Sequence, residues 1–206
     1  MTDTRDGPRP YRMRKRREEI EETRRRIVEA TVELHGTVGP AATTISGVAA
    51  KAGVQRSTVY RHFPDEEALF GACTSHWFAR HPWPRLDGWR NETDPGSRLR
   101  LGLGELYDYY DENRGMLGNA YRDIAIAPPF VGEMMRASVS EIRDVLSEGW
   151  TDAGYGRWYD IAIAHVIDFR TWQTLDEQGL DPDEAADLMT AMVAGMTAGM
   201  PIVGGV

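Results

Sequence analysis

Nowhere in this chain does a run of alternating apolar and polar residues lie between hairpin turns, whereas apolar positions recur at three- and four-residue spacing almost throughout. An all-α fold follows, and 206 residues suffice for a small domain joined to a larger one. The first helix is expected from about Arg17 to His35, with Ile20, Ile27, Thr31 and Leu34 at helical spacing and Gly36 as its stop. Two short helices, 45–52 and 56–62, are split by Gly53, and a fourth begins after Pro64-Asp65 and runs towards His81. The stretch His81 to Gly96 is too rich in Pro and Gly to be helical and reads as a domain boundary. Asp94 and Pro95 then open a helix to about Glu112, as an N-cap followed by a residue with no amide hydrogen to lose. Further helices are expected near Met116–Ala127, Phe130–Thr151, Arg157–Gln178 and Pro182–Met200, with Gly154-Tyr155-Gly156 as a break. The last carries the capping signal Asp181-Pro182-Asp183-Glu184, and Gly195 and Gly199 would let another helix approach closely.

Charge is distributed unevenly. The formal net charge is −8, yet residues 1–70 hold 13 Lys and Arg against 11 Asp and Glu, while residues 71–206 hold 11 against 21. Between Arg9 and Arg61 the balance is sharper still, 12 basic to 6 acidic. The expected organisation is a basic, flexible arm over residues 1–17, a small helical domain over 18–70 and a larger helical domain over 71–206. A single cysteine, Cys73, excludes an intramolecular disulfide and suits a reducing cytoplasm. It reads as a small buried filler, with nothing to suggest the lowered pKa of a redox sensor. The N-terminus lacks an apolar signal region, and no stretch reaches the roughly 18 apolar residues of a membrane span, so a cytoplasmic, non-membrane protein is expected. His76 and His81 are five apart and do not share a helix face, so no metal site and no cofactor are expected.

The stretch Thr43 to Phe70 has the logic of a helix-turn-helix. Thr44 can cap the first helix with its hydroxyl near an approaching phosphate, and Gly53 supplies the tight turn. Val48, Val54 and Val59 supply apolar contacts, and Ala49 is small enough for a close helix crossing. This leaves Gln55, Arg56, Ser57, Thr58, Tyr60, Arg61 and His62 on and around one very short helix, a density of donors better suited to a major groove than to a core. Gly53-Val54, Arg56-Ser57, Thr58, Val59, Tyr60, Arg61-His62 and Phe63 follow in the order characteristic of the DNA-binding domain of the TetR family of bacterial repressors, which the run from about Ile27 to Phe70 resembles.

The resemblance implies that Arg56, Ser57, Tyr60, Arg61 and His62 face bases and nearby backbone, and that Thr44 and Thr58 face phosphates. Ser46 and Glu66 depart from the pattern, standing where arginine and lysine are common, and both changes remove positive charge. The basic arm, with Arg14, Lys15, Arg16 and Arg17 at its centre, is expected to compensate along the DNA backbone or in the minor groove. The alternative for the arm is a disordered tail that aids solubility, since Glu18 to Glu22 follow it directly; for Arg56 and Arg61 it is a solvated helix face.

The larger domain is rich in aromatic residues, which at helical spacing ordinarily form core. The resemblance implies a small-molecule pocket there, with Tyr107, Tyr110, Tyr121, Met135, Trp150, His165, Phe169 and Trp172 as candidate lining. Taken together, the expected function is a dimeric transcriptional repressor that binds a palindromic double-stranded DNA operator and is released by an unknown small-molecule effector. A helical interaction module with a vestigial DNA-binding head is the alternative. An enzyme is not expected, because no nucleophile elbow, phosphate-cradling loop or zinc-protease motif is present.

Overall fold

In the computed structural model, residues 9–150, 155–196 and 198 are described, residues 9 and 10 by their backbone alone. The described chain is helical, without strands: α1 (Arg9–Thr37), a 3-10 turn (Pro40–Ala42), α2 (Ile45–Ala52), α3 (Arg56–His62), α4 (Glu66–Phe78), α5 (Asp87–Asn91), α6 (Pro95–Glu112), α7 (Arg114–Asp123), α8 (Pro129–Ser147), α9 (Gly156–Val166), α10 (Phe169–Glu177) and α11 (Pro182–Gly195). Two compact units result, one of residues 1–80 and 119–128, the other of residues 81–118 and 129–206. The expected boundary after Phe70 therefore lies ten residues later, and a stretch from the middle of the chain joins the first unit. The expected breaks and small-residue positions at Gly154 and Gly199, and the helix ends at Thr151 and Met200, lie outside the described residues.

In the first unit α1 begins at Arg9, so Arg14, Lys15, Arg16 and Arg17 stand exposed on a helix instead of in a flexible arm. Arg, Lys, Met and Glu are good helix formers, and Arg14 Nε reaches Glu18 Oε1 at 2.8 Å one turn on. Gly36 does not stop the helix. Closure comes at Gly39, whose φ of 92° is open to glycine, where the amides of Val38 and Gly39 both return to the Leu34 carbonyl. The core gathers Ile27, Val28 and Ala30 of α1, Val48, Ala49 and Ala52 of α2, Val59 of α3 and Leu69 of α4, with Phe63 closing the end of α3.

Residues 119–128 complete this unit through polar contacts. Asn119 Nδ2 donates to the His35 carbonyl at 2.9 Å and Arg122 Nη2 to that of Val38 at 3.2 Å, so both meet carbonyls left open at the end of α1. The Ala41 amide donates to Asp123 Oδ2 at 2.9 Å. Paired with Arg122 and holding that amide, the Asp123 carboxyl is held down to about 2.

In the second unit, α6 buries Leu99, Leu103, Leu106, Tyr107 and Tyr110 along one stripe, and α11 faces it with Ala185, Ala186, Met189 and Val193. Within the Pro- and Gly-rich stretch expected to lack helix, α5 forms around Trp89, which is fully buried and donates from Nε1 to Glu105 Oε2 at 2.9 Å. Tertiary burial there outweighs poor local propensity. The buried Arg98 fastens this region, donating to the carbonyls of Trp89, Glu92 and Glu148 at 2.6–3.2 Å. The helix expected over 157–178 is broken into α9 and α10. Asp168 caps α10 by accepting from the Arg170 amide, while Tyr107 and Tyr110 donate to the carbonyls of Val166 and Ile167 at 2.6 and 2.8 Å. The break is thus built from groups on another helix, which local periodicity does not register.

Candidate nucleic-acid interface

The candidate interface starts from the cap of α2. Thr44 sits in extended geometry, exposed, and its Oγ1 accepts from the Gly47 amide at 3.0 Å, which leaves the hydroxyl hydrogen free to donate outward. Gly53 ends α2 in the left-handed region, with φ 66° and ψ 40°, and its amide turns back to Ala49 and Ala50. The next amide, of Val54, also bonds to the Ala49 carbonyl at 2.9 Å. These bonds set the angle at which α3 leaves.

Only Val59 of α3 is buried. Arg56, Ser57, Tyr60 and Arg61 are exposed and, at spacings of one, four and five, share a helix face; Thr58 and His62 are half-buried at its flanks. Neither Arg56 nor Arg61 forms a hydrogen bond or ion pair among the described residues, so both guanidiniums are available to an external anion or base edge. Tyr60 is 42% exposed, pointing its ring outward and not into the core. Burial, then the nearby Arg61 and Arg24, lower the pKa of His62, so its ring is neutral at physiological pH.

One residue that sequence reasoning passed over fixes the far end of this helix. Arg24, on α1, donates from Nη1 to the His62 carbonyl at 3.2 Å, and its Cζ lies 4.2 Å from the centre of the Phe63 ring. A single guanidinium thereby caps the last turn of α3 and stacks on the aromatic residue that anchors it. The only sequence signal was a basic residue three before Ile27, indistinguishable from its neighbours Arg25 and Arg26. Arg25 pairs instead with Glu22 and Glu29 on the helix surface.

The residues proposed for a pocket are dispersed. Tyr107, Tyr110, Met135, Phe169 and Trp172 are buried in the second unit, with the ring centres of Tyr110 and Phe169 5.3 Å apart. Both Tyr107 and Tyr110 spend their hydroxyls on backbone carbonyls, and burial pushes the Tyr107 phenol up. Trp150 packs near Tyr159 at 4.8 Å, and its Nε1 is buried without a hydrogen-bond partner among the described residues. His165 is exposed, not enclosed, and is held by Thr171, whose hydroxyl donates to its carbonyl. Tyr121 belongs to the first unit, so it does not share an enclosure within the second with the others. His165 stands exposed on α9, before the break, and Tyr121 groups with residues 119–128. No three His, Cys, Asp or Glu residues among those described are grouped to hold a metal. No described helix is long and apolar enough to cross a membrane.

Residues 27–73 match the family model described as "Bacterial regulatory proteins, tetR family". An HTH-type transcriptional repressor of Mycobacterium tuberculosis is 39% identical over 56 residues, which are 27% of this chain and 30% of that protein. The chain thus aligns with less than a third of that relative's length. A TetR-like transcriptional regulator from Rhodococcus sp. RHA1 has a similar fold, with a TM-score of 0.62 and 20% identity over 86% of this chain and 97% of that one. The regulator FadR of Bacillus subtilis, solved in complex with stearoyl-CoA, aligns with a TM-score of 0.55 and 16% identity over 85% of this chain and 98% of that one. Residues 27–73 thus match the sequence of the tetR-family DNA-binding module, and the all-helical fold of the chain is similar to that of TetR-like regulators.

Proposed function

We propose that this chain is a sequence-specific DNA-binding transcriptional repressor, cytoplasmic and homodimeric, released from a palindromic operator by a small-molecule effector. The observation that carries the reading is the exposed face of α3, on which Arg56, Ser57, Tyr60 and Arg61 stand together, both arginines unpaired among the described residues. Arg56 and Arg61 suit bidentate reading of guanine, Ser57 and His62 reach neighbouring edges, and Thr44 and Thr58 hold phosphates. Arg14, Lys15, Arg16 and Arg17 extend the basic surface along α1 and supply phosphate contacts that carry no sequence information.

Dimerisation is supported by α9 and α11, which pack on each other and leave Trp158, Ile161, Leu188 and Met192 each more than two-fifths exposed. Apolar side chains on two adjacent helices form a face that a second copy can cover in a four-helix arrangement. The two α3 helices of a dimer must lie about one DNA turn, roughly 34–36 Å, apart to enter successive major grooves. An effector that prefers a conformation with another spacing weakens DNA binding by the same coupling energy. Support for an effector in the second unit comes from Trp150 Nε1 and Ser147 Oγ, two buried groups with no hydrogen-bond partner among the described residues. FadR of Bacillus subtilis, solved with stearoyl-CoA, is a protein of this fold that accommodates a small-molecule ligand. Mechanism at this level needs binding alone and no covalent step.

The test is binding of the full chain to fluorescent DNA from its own upstream region against scrambled DNA, across a salt series, with Arg61→Ala beside wild type. Specific, salt-dependent binding that the variant loses is the expected result. Equal affinity of wild type for both DNAs, and for a library of genomic fragments, would refute the reading.

A further inference from the structure

Between α1 and α2 the chain turns through the 3-10 segment Pro40–Ala42, and the start of that turn has no side-chain cap of its own. Gly39, at the N-cap position, could not carry one: its φ of 92° lies in the region open to glycine, and a Cβ built there would stand 2.6 Å from Asp123 Oδ2. The missing acceptor comes from 82 residues further along, within the same unit. Asp123, 8% exposed, takes the Ala41 amide on Oδ2 at 2.9 Å, and Arg122 holds both carboxylate oxygens, Nε to Oδ1 at 2.7 Å and Nη2 to Oδ2 at 2.9 Å. The same Nη2 donates to the Val38 carbonyl at 3.2 Å, so the carboxylate is tied in turn to the end of α1. A carboxylate gripped by a guanidinium fork is fixed in plane as well as in position.

What this turn carries is Thr44. The other bonds of the segment are local, the Thr43 amide to the Pro40 carbonyl at 3.1 Å and the Thr43 hydroxyl to the Gly39 carbonyl at 2.8 Å. Local bonds give the turn its shape, whereas a bond to a distant group decides where it lies. Directly after it Thr44 stands exposed in extended geometry, its Oγ1 accepting from the Gly47 amide at 3.0 Å and its hydroxyl hydrogen still to be donated. Val48, Ala49 and Ala52 anchor the rest of α2 in the core, so the first turn, with Thr44, is the part of the helix-turn-helix that Asp123 places.

We propose that Asp123 is a positioning residue for DNA binding: by holding the Ala41 amide it sets the Thr44 hydroxyl where a backbone phosphate meets it while α3 lies in the groove. In this role Asp123 presupposes the operator-binding reading and adds to it a residue outside the helix-turn-helix that touches no DNA atom. An O–H···O bond is made at about 2.5–3.0 Å and weakens steeply off line, so a displacement of about 1 Å at Thr44 forfeits it. Charge alone predicts the opposite sign, because removing an acidic group from a DNA-binding unit tightens binding to a polyanion.

The test compares Asp123→Ala with Asp123→Asn in the full chain, at a temperature where circular dichroism shows every variant folded. Both remove the same charge and the ion pair with Arg122, but the asparagine amide keeps an oxygen that accepts from Ala41. Affinity for a genomic fragment that wild type selects, and for scrambled DNA at low salt, should each fall about tenfold in the alanine variant and return to within about threefold of wild type in the asparagine variant. The salt slopes of the two variants should be equal, since they do not differ in charge. In a Thr44→Val background Asp123→Ala should weaken binding no further, as expected of two residues that serve one contact, whereas a carboxylate that served stability alone would act equally in either background. Undiminished affinity of the alanine variant, equal loss in both variants, or an undiminished loss in the Thr44→Val background overturns the proposal. A wild type that binds neither DNA overturns the operator-binding reading itself, and that outcome is told apart because it is seen before any variant is compared.

Discussion

Replacing Arg24 by Met removes one guanidinium and two contacts at the end of α3 while keeping a flexible stem and good helix propensity on α1. The lost hydrogen bond to the His62 carbonyl, 3.2 Å long and half-buried, is worth about 1 kcal/mol. Stacking of the cation on the buried Phe63 ring, at 4.2 Å, adds about 0.5–1 kcal/mol. The end of α3 should therefore open more easily by about 1.5–2 kcal/mol, a factor of ten to thirty in the opening equilibrium. Native-state hydrogen exchange reads this directly at the Phe63 amide, which donates to the Val59 carbonyl at 2.9 Å as the last bond of the helix. Arg24→Lys separates the two contributions of the side chain. It keeps the charge, and with it the salt dependence of DNA binding, but lacks the planar fork, so protection at Phe63 should stay low. Protection in Arg24→Met within about 0.5 kcal/mol of wild type would refute the assignment of Arg24 as the clamp on this helix.

Three other substitutions test different parts of the fold. Asp123→Ala strips the Ala41 amide of its acceptor and should destabilise the first unit by about 1–2 kcal/mol at neutral pH, measured by urea unfolding; because the folded carboxyl titrates at about 2, below its ordinary value of 3.8, this stabilisation is present above the ordinary value and disappears as pH falls through the folded one. His35, neutral and buried, titrates at about 4 when folded against 6.5 when unfolded, so its contribution is full above the higher value and shrinks as pH falls towards the lower, by roughly 3 kcal/mol in all; His35→Gln should flatten the stability profile over that window, and a slope equal to wild type would contradict the burial argument. Gly102→Ala would place a Cβ 2.5 Å from Leu146 Cδ2 and 3.3 Å from Trp89 Cδ2, and the overpacking should outweigh the gain in helix propensity, lowering stability by about 1 kcal/mol and not raising it.

Elements whose ends are marked by local chemistry are legible in the amino-acid sequence itself. The bounds of α2 and α3 coincide with those expected, because Thr44, Gly53 and the polar run after it act within a few residues of themselves. Asp94 and Asp181 likewise cap α6 and α11 as their sequences imply, the second in a complete capping box. What escaped depended on partners distant in the chain. The choice of Gly39 over Gly36 is settled by where the amides return to Leu34, and the division of α9 from α10 by two tyrosine hydroxyls some 60 residues earlier. Within the candidate interface, the exposed donors of α3 were readable from their crowding, whereas Arg24 was not, since its role comes from a carbonyl 38 residues away.

Because residues 119–128 belong to the first unit, the chain passes between the units three times, after residues 80, 118 and 128. A reading head cut from the protein at Arg80 would lack the side chains that serve the His35 and Val38 carbonyls and the Ala41 amide. Modular exchange is limited accordingly. A chimera that grafts these first 80 residues onto another regulator inherits three open backbone groups beside the helix-turn-helix, and it regains a complete head only if the recipient presents its own equivalents of Asn119, Arg122 and Asp123.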